Sequence, residues 1–248
     1  MDRVYEKQLA EHLSTQRQMA MLAGPRQVGK TTSARASAGD HRYYTWDRQS
    51  DRRLLTQGAD AIASDLDLAT LGTARQRLVL DEIHKYRKWK DLLKGLFDVY
   101  GEKTSIVVTG SARLDFFRRG GDSLMGRYFL YRMHPLSLAE LVRTAPAEGP
   151  ISPPRRPSTD AIEQLLRFGG FPEPFLNAST RFYNRWRRMR NELLFREDLR
   201  DLTQIQEAGQ VEVLGELLAA QVGQLVNYTT LANSVNASVD TVQRWVAA

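Results

Sequence analysis

Residues 24–31 read Gly-Pro-Arg-Gln-Val-Gly-Lys-Thr, a complete G-x-x-x-x-G-K-[ST] string, and no other feature restricts the fold of this chain so tightly. A loop of this kind turns backbone N–H groups inward around an anion. It must therefore leave a strand and enter a helix whose positive end faces the same point. The flanks agree: Met19-Ala20-Met21-Leu22-Ala23 is a short apolar run that stops at Gly24, as a buried strand would, and a helix is expected from Lys30. Gly29 permits torsions and a close approach that a side chain would block. Gly24, Pro25, Arg26, Gln27, Val28, Gly29, Lys30, Thr31 and Thr32 thus form the expected phosphate loop. Lys30 is expected to reach the β- and γ-phosphates of ATP, and the Thr31 hydroxyl to ligate Mg²⁺. The bland alternative is a glycine turn followed by a chance Lys-Thr; the strand before it and the helix after it tell against that.

Further strands are expected at Tyr43-Tyr44-Thr45-Trp46, Arg77 to Asp81, Ser105 to Thr109 and Tyr128 to Arg132, with helical segments between them. One helix is marked by Trp89, Leu92, Leu93, Leu96 and Phe97 at helical spacing, and residues 5–18 suggest another at the N-terminus. This alternation predicts an α/β fold, a parallel sheet flanked by helices, with ligands beyond the carboxyl ends of its strands. Five prolines in TAPAEGPISPPRRPST, residues 144–159, oppose helix and central strand alike. The reading is a core over 1–145, a Pro-rich loop over 146–159, a helical segment over 160–226 and a helix-turn-helix-like unit over 227–248.

Leu78-Val79-Leu80-Asp81-Glu82 ends an apolar strand in two carboxylates. Asp81 is suited to holding Mg²⁺, and Glu82 to polarising a water for in-line attack on the γ-phosphate. Alone this is a strand with an acidic end; with the loop some fifty residues upstream it becomes a hydrolytic pair. Ser111, preferred over Thr109, is a candidate for contact with the γ-phosphate or the water. Arg127, preferred over Arg113, is a candidate for stabilising transition-state charge, from this chain or a neighbouring copy.

These stretches resemble bacterial and archaeal AAA+-type ATPases whose C-terminal part is a domain of unknown function numbered 4143. The resemblance rests on GPRQVGKTT, YYTWDRQSDRRLL, LVLDEIHKYRKWKDLLKGLFD, IVVTGSARLD, GDSLMGRYFLYRMHPLSLAEL, FGGFPEP and FREDLRDL, which span most of residues 5–245. It implies an AAA+/ASCE-like core, then helices and a winged-helix-type unit. It also implies the nucleotide roles given to Lys30, Thr31, Asp81 and Glu82, with Ser111 as sensor and Arg127 as finger or sensor. Such chains usually continue a hundred or more residues past a helix-turn-helix like this one, so the unit ending at Ala248 is expected to be truncated.

With a net charge of +6 and a pI near 9.6, anionic partners are favoured, nucleotides and nucleic acid among them. The absence of cysteine excludes disulfides and thiolate metal sites and fits a cytoplasmic protein. No apolar run approaches the length of a membrane span. No Asn-Lys-x-Asp string reads guanine. Asp81-Glu82-Ile83-His84 resembles a helicase string, but the chain has no room for a second motor domain, and Glu82 argues against a kinase.

In the C-terminal half, TRFYNRWRRMRNELL, residues 180–194, has Phe182, Trp186, Met189 and Leu193 on one helical face and Arg181, Arg185 and Arg188 on another. It is read either as a packed helix with a solvated basic face or as a phosphate-contacting face. Tyr228 to Val246 reads as two short helices, with Thr229 and Ser238 as N-caps and Thr241, Gln243 and Arg244 as residues facing DNA. The leading expectation is an ATP-hydrolysing switch or motor that forms homo-oligomers. The alternative is a nucleic-acid-binding regulator in which ATP locks one conformation.

Overall fold

The computed structural model describes residues 2–68, 75–110, 124–143, 155–195 and 207–247. Five strands lie where the apolar runs place them: β1 (Met19–Ala23), β2 (Arg42–Thr45), β3 (Gln76–Asp81), β4 (Thr104–Gly110) and β5 (Tyr128–Arg132). They form one sheet in the order β2-β3-β4-β1-β5, with every pairing parallel. The central strands β1 and β4 are buried along their whole length, as strands covered on both faces must be.

Period-two alternation sorts the core into two layers. Met19, Met21, Leu78, Leu80, Ile106 and Val108 face α3 (Gln49–Gln57), α4 (Ala59–Asp65) and α5 (Trp89–Tyr100), meeting Leu55, Ile62, Leu93 and Leu96. Ala20, Leu22, Val79 and Val107 face the other way, against Leu9 and Leu13 of α1 (Val4–Thr15) and Ala34 and Ala38 of α2 (Lys30–Ala38). The α5 stripe is the one legible in the sequence. Truncating fully buried Leu93 or Leu96 to alanine would cost about 2–5 kcal/mol.

The register sets the site. Thr45 pairs with Asp81, Asp81 with Thr109, and Ala23 with Gly110, so the carboxyl ends of four strands lie along one edge. The expected helix after the loop is α2, starting at Lys30.

The chain divides into two compact units, residues 1–178 and 179–248. The first also contains α6 (Leu138–Val142), α7 (Thr159–Phe168) and α8 (Pro172–Asn177), the last two grouped by sequence with the segment 160–226. The second contains α9 (Thr180–Leu193), α10 (Ala208–Ala220), α11 (Tyr228–Val235) and α12 (Val239–Ala247). Val211, Leu214, Leu231, Ala232, Val235, Val242 and Trp245 form its own core. The cap of α11 is Asn227, whose side chain accepts from the Thr230 N–H, not Thr229, which lies inside the helix. Ser238 accepts from the Thr241 N–H as expected of a cap. Among the described residues no helix is long and apolar enough to cross a membrane.

Candidate functional site

At the carboxyl edge of the sheet lies a cavity of about 560 Å³, within the usual range for small-molecule sites. Arg26, Gln27, Gly29, Lys30, Thr31 and Thr32 line it, together with Glu82 from beyond β3. The loop between β1 and α2 is held by backbone geometry. Gly24 runs so close to the next segment that an added Cβ would lie 2.2 Å from the Met133 carbonyl oxygen. Gln27 and Gly29 have φ of +64° and +99°, flanking Val28, which is fully buried. Such alternation of hand turns successive N–H groups toward one side.

Lys30 is buried, and its Nζ donates to the carbonyls of Gly24 (3.0 Å) and Pro25 (2.7 Å). The Thr31 hydroxyl lies 3.1 Å from both Asp81 carboxylate oxygens, joining residues fifty positions apart. Asp81 is buried and also accepts from the Tyr43 hydroxyl (2.7 Å) and from Thr109. Burial and the hydrogen bond to Asp81 push the Tyr43 phenol up to about 12, so it stays a donor throughout the ordinary pH range. Glu82 sits in the left-handed region (φ 54°), which turns it away from the strand line, and its N–H donates to the Thr109 carbonyl. Burial pushes its carboxyl up, opposed chiefly by Lys85, whose Nζ is 3.4 Å from Oε2 and 2.7 Å from Asp47.

The structure therefore brings Lys30, Thr31, Thr32, Asp81 and Glu82 together. Ser111 and Arg113 lie outside the described residues. Thr109, the lesser candidate, is fully buried beneath Asp81, where it orients a carboxylate and does not face the cavity. Arg127 requires a correction. Its carbonyl accepts from the Met19 N–H, and Tyr128 pairs with Met19, so it precedes β5 at the amino edge of the sheet. The five residues of β1 separate that edge from the loop, about 16 Å at strand rise. There it forms an ion pair with Asp98 (2.7 Å), so a role on the nucleotide site of its own chain is excluded by topology.

Several lining residues were not foreseen. Arg3 enters from just before α1, Glu6 from α1, and Pro172, Glu173 and Leu176 from α8. Arg3 is buried and donates to the Val28 carbonyl (2.9 Å), the His134 carbonyl (2.8 Å) and both oxygens of Glu140 (2.6 and 3.0 Å). No local pattern marks these residues. FGGFPEP was a visible string with no chemistry attached, and it delivers the α8 wall.

Among the described residues no cluster of three or more His, Asp or Glu is placed to hold a metal. A cation between Thr31 and Asp81 would therefore rely on phosphate oxygens and water for its remaining ligands, as Mg²⁺ commonly does.

Residues 16–142 match a family described as AAA domain, and residues 159–248 match a domain of unknown function, DUF8612. The second match replaces the domain numbered 4143 expected from the sequence. Two uncharacterized proteins, Mb2031c of Mycobacterium bovis and Rv2008c of Mycobacterium tuberculosis, are each 24% identical over 230 residues, covering 93% of this chain and 47% of theirs. The chain thus spans about half the length of these relatives. Among solved structures, the Aeropyrum pernix ORC1 protein in complex with DNA overlaps with a TM-score of 0.47 at 16% identity, covering 98% of this chain and 81% of that one. Replication initiator DnaA bound to AMPPCP and single-stranded DNA overlaps with a TM-score of 0.46 at 11% identity, covering 98% and 85%. On the match over residues 16–142, just over half its length, this nucleotide-binding P-loop chain belongs to the AAA domain family.

Proposed function

We propose that the chain binds ATP with Mg²⁺ in this cavity and hydrolyses it, using the nucleotide state as a switch or motor for its helical C-terminal part. The observation that carries this is that Lys30, Thr31 and Glu82 line one cavity while Asp81 is hydrogen-bonded to Thr31. Bound Mg²⁺–ATP supplies the phosphoanhydride to be cleaved and the cation that neutralises its oxygens. The remaining tasks fall to the chain. Backbone N–H groups of residues 24–32 cradle the phosphates, and Lys30 turns from the Gly24 and Pro25 carbonyls toward the β- and γ-oxygens. Thr31 and Asp81 hold the cation, and Glu82 orients a water and draws its proton during attack. Pro172 and Leu176 offer apolar surface to the base. Arg127 serves only a neighbouring copy's nucleotide, which requires a homo-oligomer.

Lys30→Ala is expected to weaken Mg²⁺–ATP binding by about 100-fold or more, since two charge-assisted contacts go. Glu82→Gln is expected to keep binding while turnover falls by about 10²–10⁴-fold. Intact affinity in the first or intact hydrolysis in the second defeats the assignment.

A second reading, a nucleic-acid-binding regulator, is favoured by one observation. Arg181, Arg185 and Arg188 form an exposed stripe on α9, and among the described residues none of them has a hydrogen-bond or ion-pair partner. The first turn of α9 carries no acid, so like charges crowd one face near a positive helix end. DNA phosphates would offset that repulsion. Replacing all three by Gln should lower duplex affinity, reduce the salt slope by about 2–3, and leave the melting temperature unchanged or raised. Undetectable duplex binding by the parent chain at low salt removes this reading.

A further inference from the structure

The unusual group near the phosphate loop is Arg3. An arginine presents five N–H donors in a rigid fork, and four are used here on three partners distant in sequence. Two go to Glu140 of α6, whose oxygen also accepts from the Val4 N–H at the start of α1. One goes to the His134 carbonyl just after β5, and the fourth to the carbonyl of Val28 inside the loop. The side chains of Arg3 and Glu140 are 5% and 6% exposed, so each depends chiefly on protein partners. Tyr5 straps the same N-terminal segment down, donating to the Arg132 carbonyl (2.8 Å) and accepting from the His134 N–H (3.2 Å).

The Val28 carbonyl and the Gly29 N–H belong to one peptide unit. Such a unit is planar and trans, so its C=O and N–H point in opposite directions. Whatever holds the carbonyl therefore aims the N–H. Glycine at position 29, with φ +99°, offers little resistance to rotation of this peptide plane by itself. A buried carbonyl that loses its donor is driven to find another, and a peptide flip is the simplest way. We propose that Arg3 is a positioning residue of the nucleotide site: held by Glu140, it fixes the Val28–Gly29 peptide so that the Gly29 N–H faces the nucleotide's phosphates. Arg3 also borders the cavity, but the four hydrogen bonds it donates all go to protein acceptors, so the role assigned to it is positioning. The consequence is that the N-terminal segment and α6, which flank the loop from distant parts of the chain, set its affinity for anions.

This inference rests on the nucleotide-binding reading above, and the test separates the two. Arg3→Ala would strand a buried carboxylate, so the informative variant is Arg3→Met with Glu140→Leu. Replacing both members of a buried ion pair by apolar residues of similar size is often neutral for stability. Binding of Mg²⁺–ADP is measured by calorimetry on the full chain, alongside circular dichroism and steady-state turnover. The double variant is expected to fold and to bind Mg²⁺–ADP about 10- to 100-fold more weakly, with the loss in KM and not in kcat. Arg3→Lys is the second variant, in case the double one does not fold. It keeps the charge opposite Glu140, but its single ammonium lacks the fork that spans Glu140 and Val28, so it should lose at least about fivefold. A folded variant that binds Mg²⁺–ADP within threefold of the parent overturns the proposal, as does a loss confined to kcat. Failure of the parent chain itself to bind Mg²⁺–ADP would instead overturn the nucleotide reading.

Discussion

Thr109→Val is the most direct probe of how the site holds its central carboxylate. Asp81 accepts hydroxyl donors from Thr31, Tyr43 and Thr109, and Thr109 alone of the three is fully buried. Valine keeps the branched shape and opens no cavity, so the loss is one hydrogen bond to a charged group, about 1.5–3 kcal/mol. Against this stands the gain from burying one methyl, about 0.8 kcal/mol. The net is a destabilisation of about 1–2 kcal/mol. In a chain of this size each kcal/mol lowers the melting temperature by about 2–4 °C. Scanning calorimetry should therefore find Thr109→Val lower by about 2–8 °C. Tyr43→Phe should fall by less, because the Tyr43 side chain is only partly buried and water can replace its hydroxyl. Thr109→Ser should lie close to the parent. The Mg²⁺ concentration for half-maximal turnover should rise in the order Ser, Phe, Val. A Val variant as stable as the parent, or Tyr43→Phe more harmful than Thr109→Val, would refute the view that buried donors fix Asp81.

Two other perturbations have definite signs. His12 is buried, its ring nitrogens meeting the Tyr131 hydroxyl (2.9 Å) and the Gln18 carbonyl (2.7 Å), and burial lowers its pKa from 6.5. The unfolded chain therefore takes up the proton first. Its contribution is present above pH 6.5 and is lost as pH falls through the lowered folded value. Urea melts at pH 7.5 and 5.5 should show that loss, and His12→Gln should reduce it; an unchanged pH slope would refute it. Gly24→Ala drives a Cβ into the Met133 carbonyl and strains the adjoining Met133 N–H to Ala23 carbonyl bond (2.7 Å). It should cost about 2–3 kcal/mol and weaken ADP binding, and a variant of parental stability would show that β1 and the segment after β5 are less tightly apposed.

The sheet was legible because its strands are short runs, apolar at β1, β3 and β4 and rich in aromatic residues at β2 and β5, and because the helix stripe from Trp89 to Phe97 is clean. Lys30 and Thr31 could be joined to Asp81 and Glu82 across fifty residues because the loop motif dictates a parallel sheet, and a parallel sheet puts all carboxyl ends on one edge. That rule also contained the answer for Arg127. A residue just before a strand must lie at the amino edge, and taking the direction of β5 seriously removes it from its own chain's site. Tyr43 was visible only as a strand residue. Its hydroxyl meets Asp81 because β2 pairs with β3 in the register Tyr44 to Leu80, and no local pattern encodes that register. Arg3, Glu140 and the α8 wall were invisible for the same reason. Their partners lie far along the chain, and an isolated arginine near an N-terminus has no periodicity to betray it.

The side chains of Lys30, Thr31 and Asp81 already have partners within the protein, and that limits what can drive nucleotide binding. Lys30 has two carbonyl acceptors, Asp81 has three hydroxyl donors, and the Val28 carbonyl has Arg3. Moving Lys30 onto a phosphate exchanges two neutral carbonyl acceptors for anionic oxygens, so an ion–dipole contact becomes an ion pair. Moving the Thr31 hydroxyl from Asp81 to a cation exchanges one hydrogen bond for a metal bond and frees the carboxylate to join it. Both exchanges gain only where phosphate charge is concentrated, at the β- and γ-positions, and the second requires the cation. Affinity should thus depend on phosphate number and on Mg²⁺ far more than on the base, because the apolar lining of the cavity is slight: among the described residues Pro172 and Leu176 alone supply it, and Leu176 is 59% exposed.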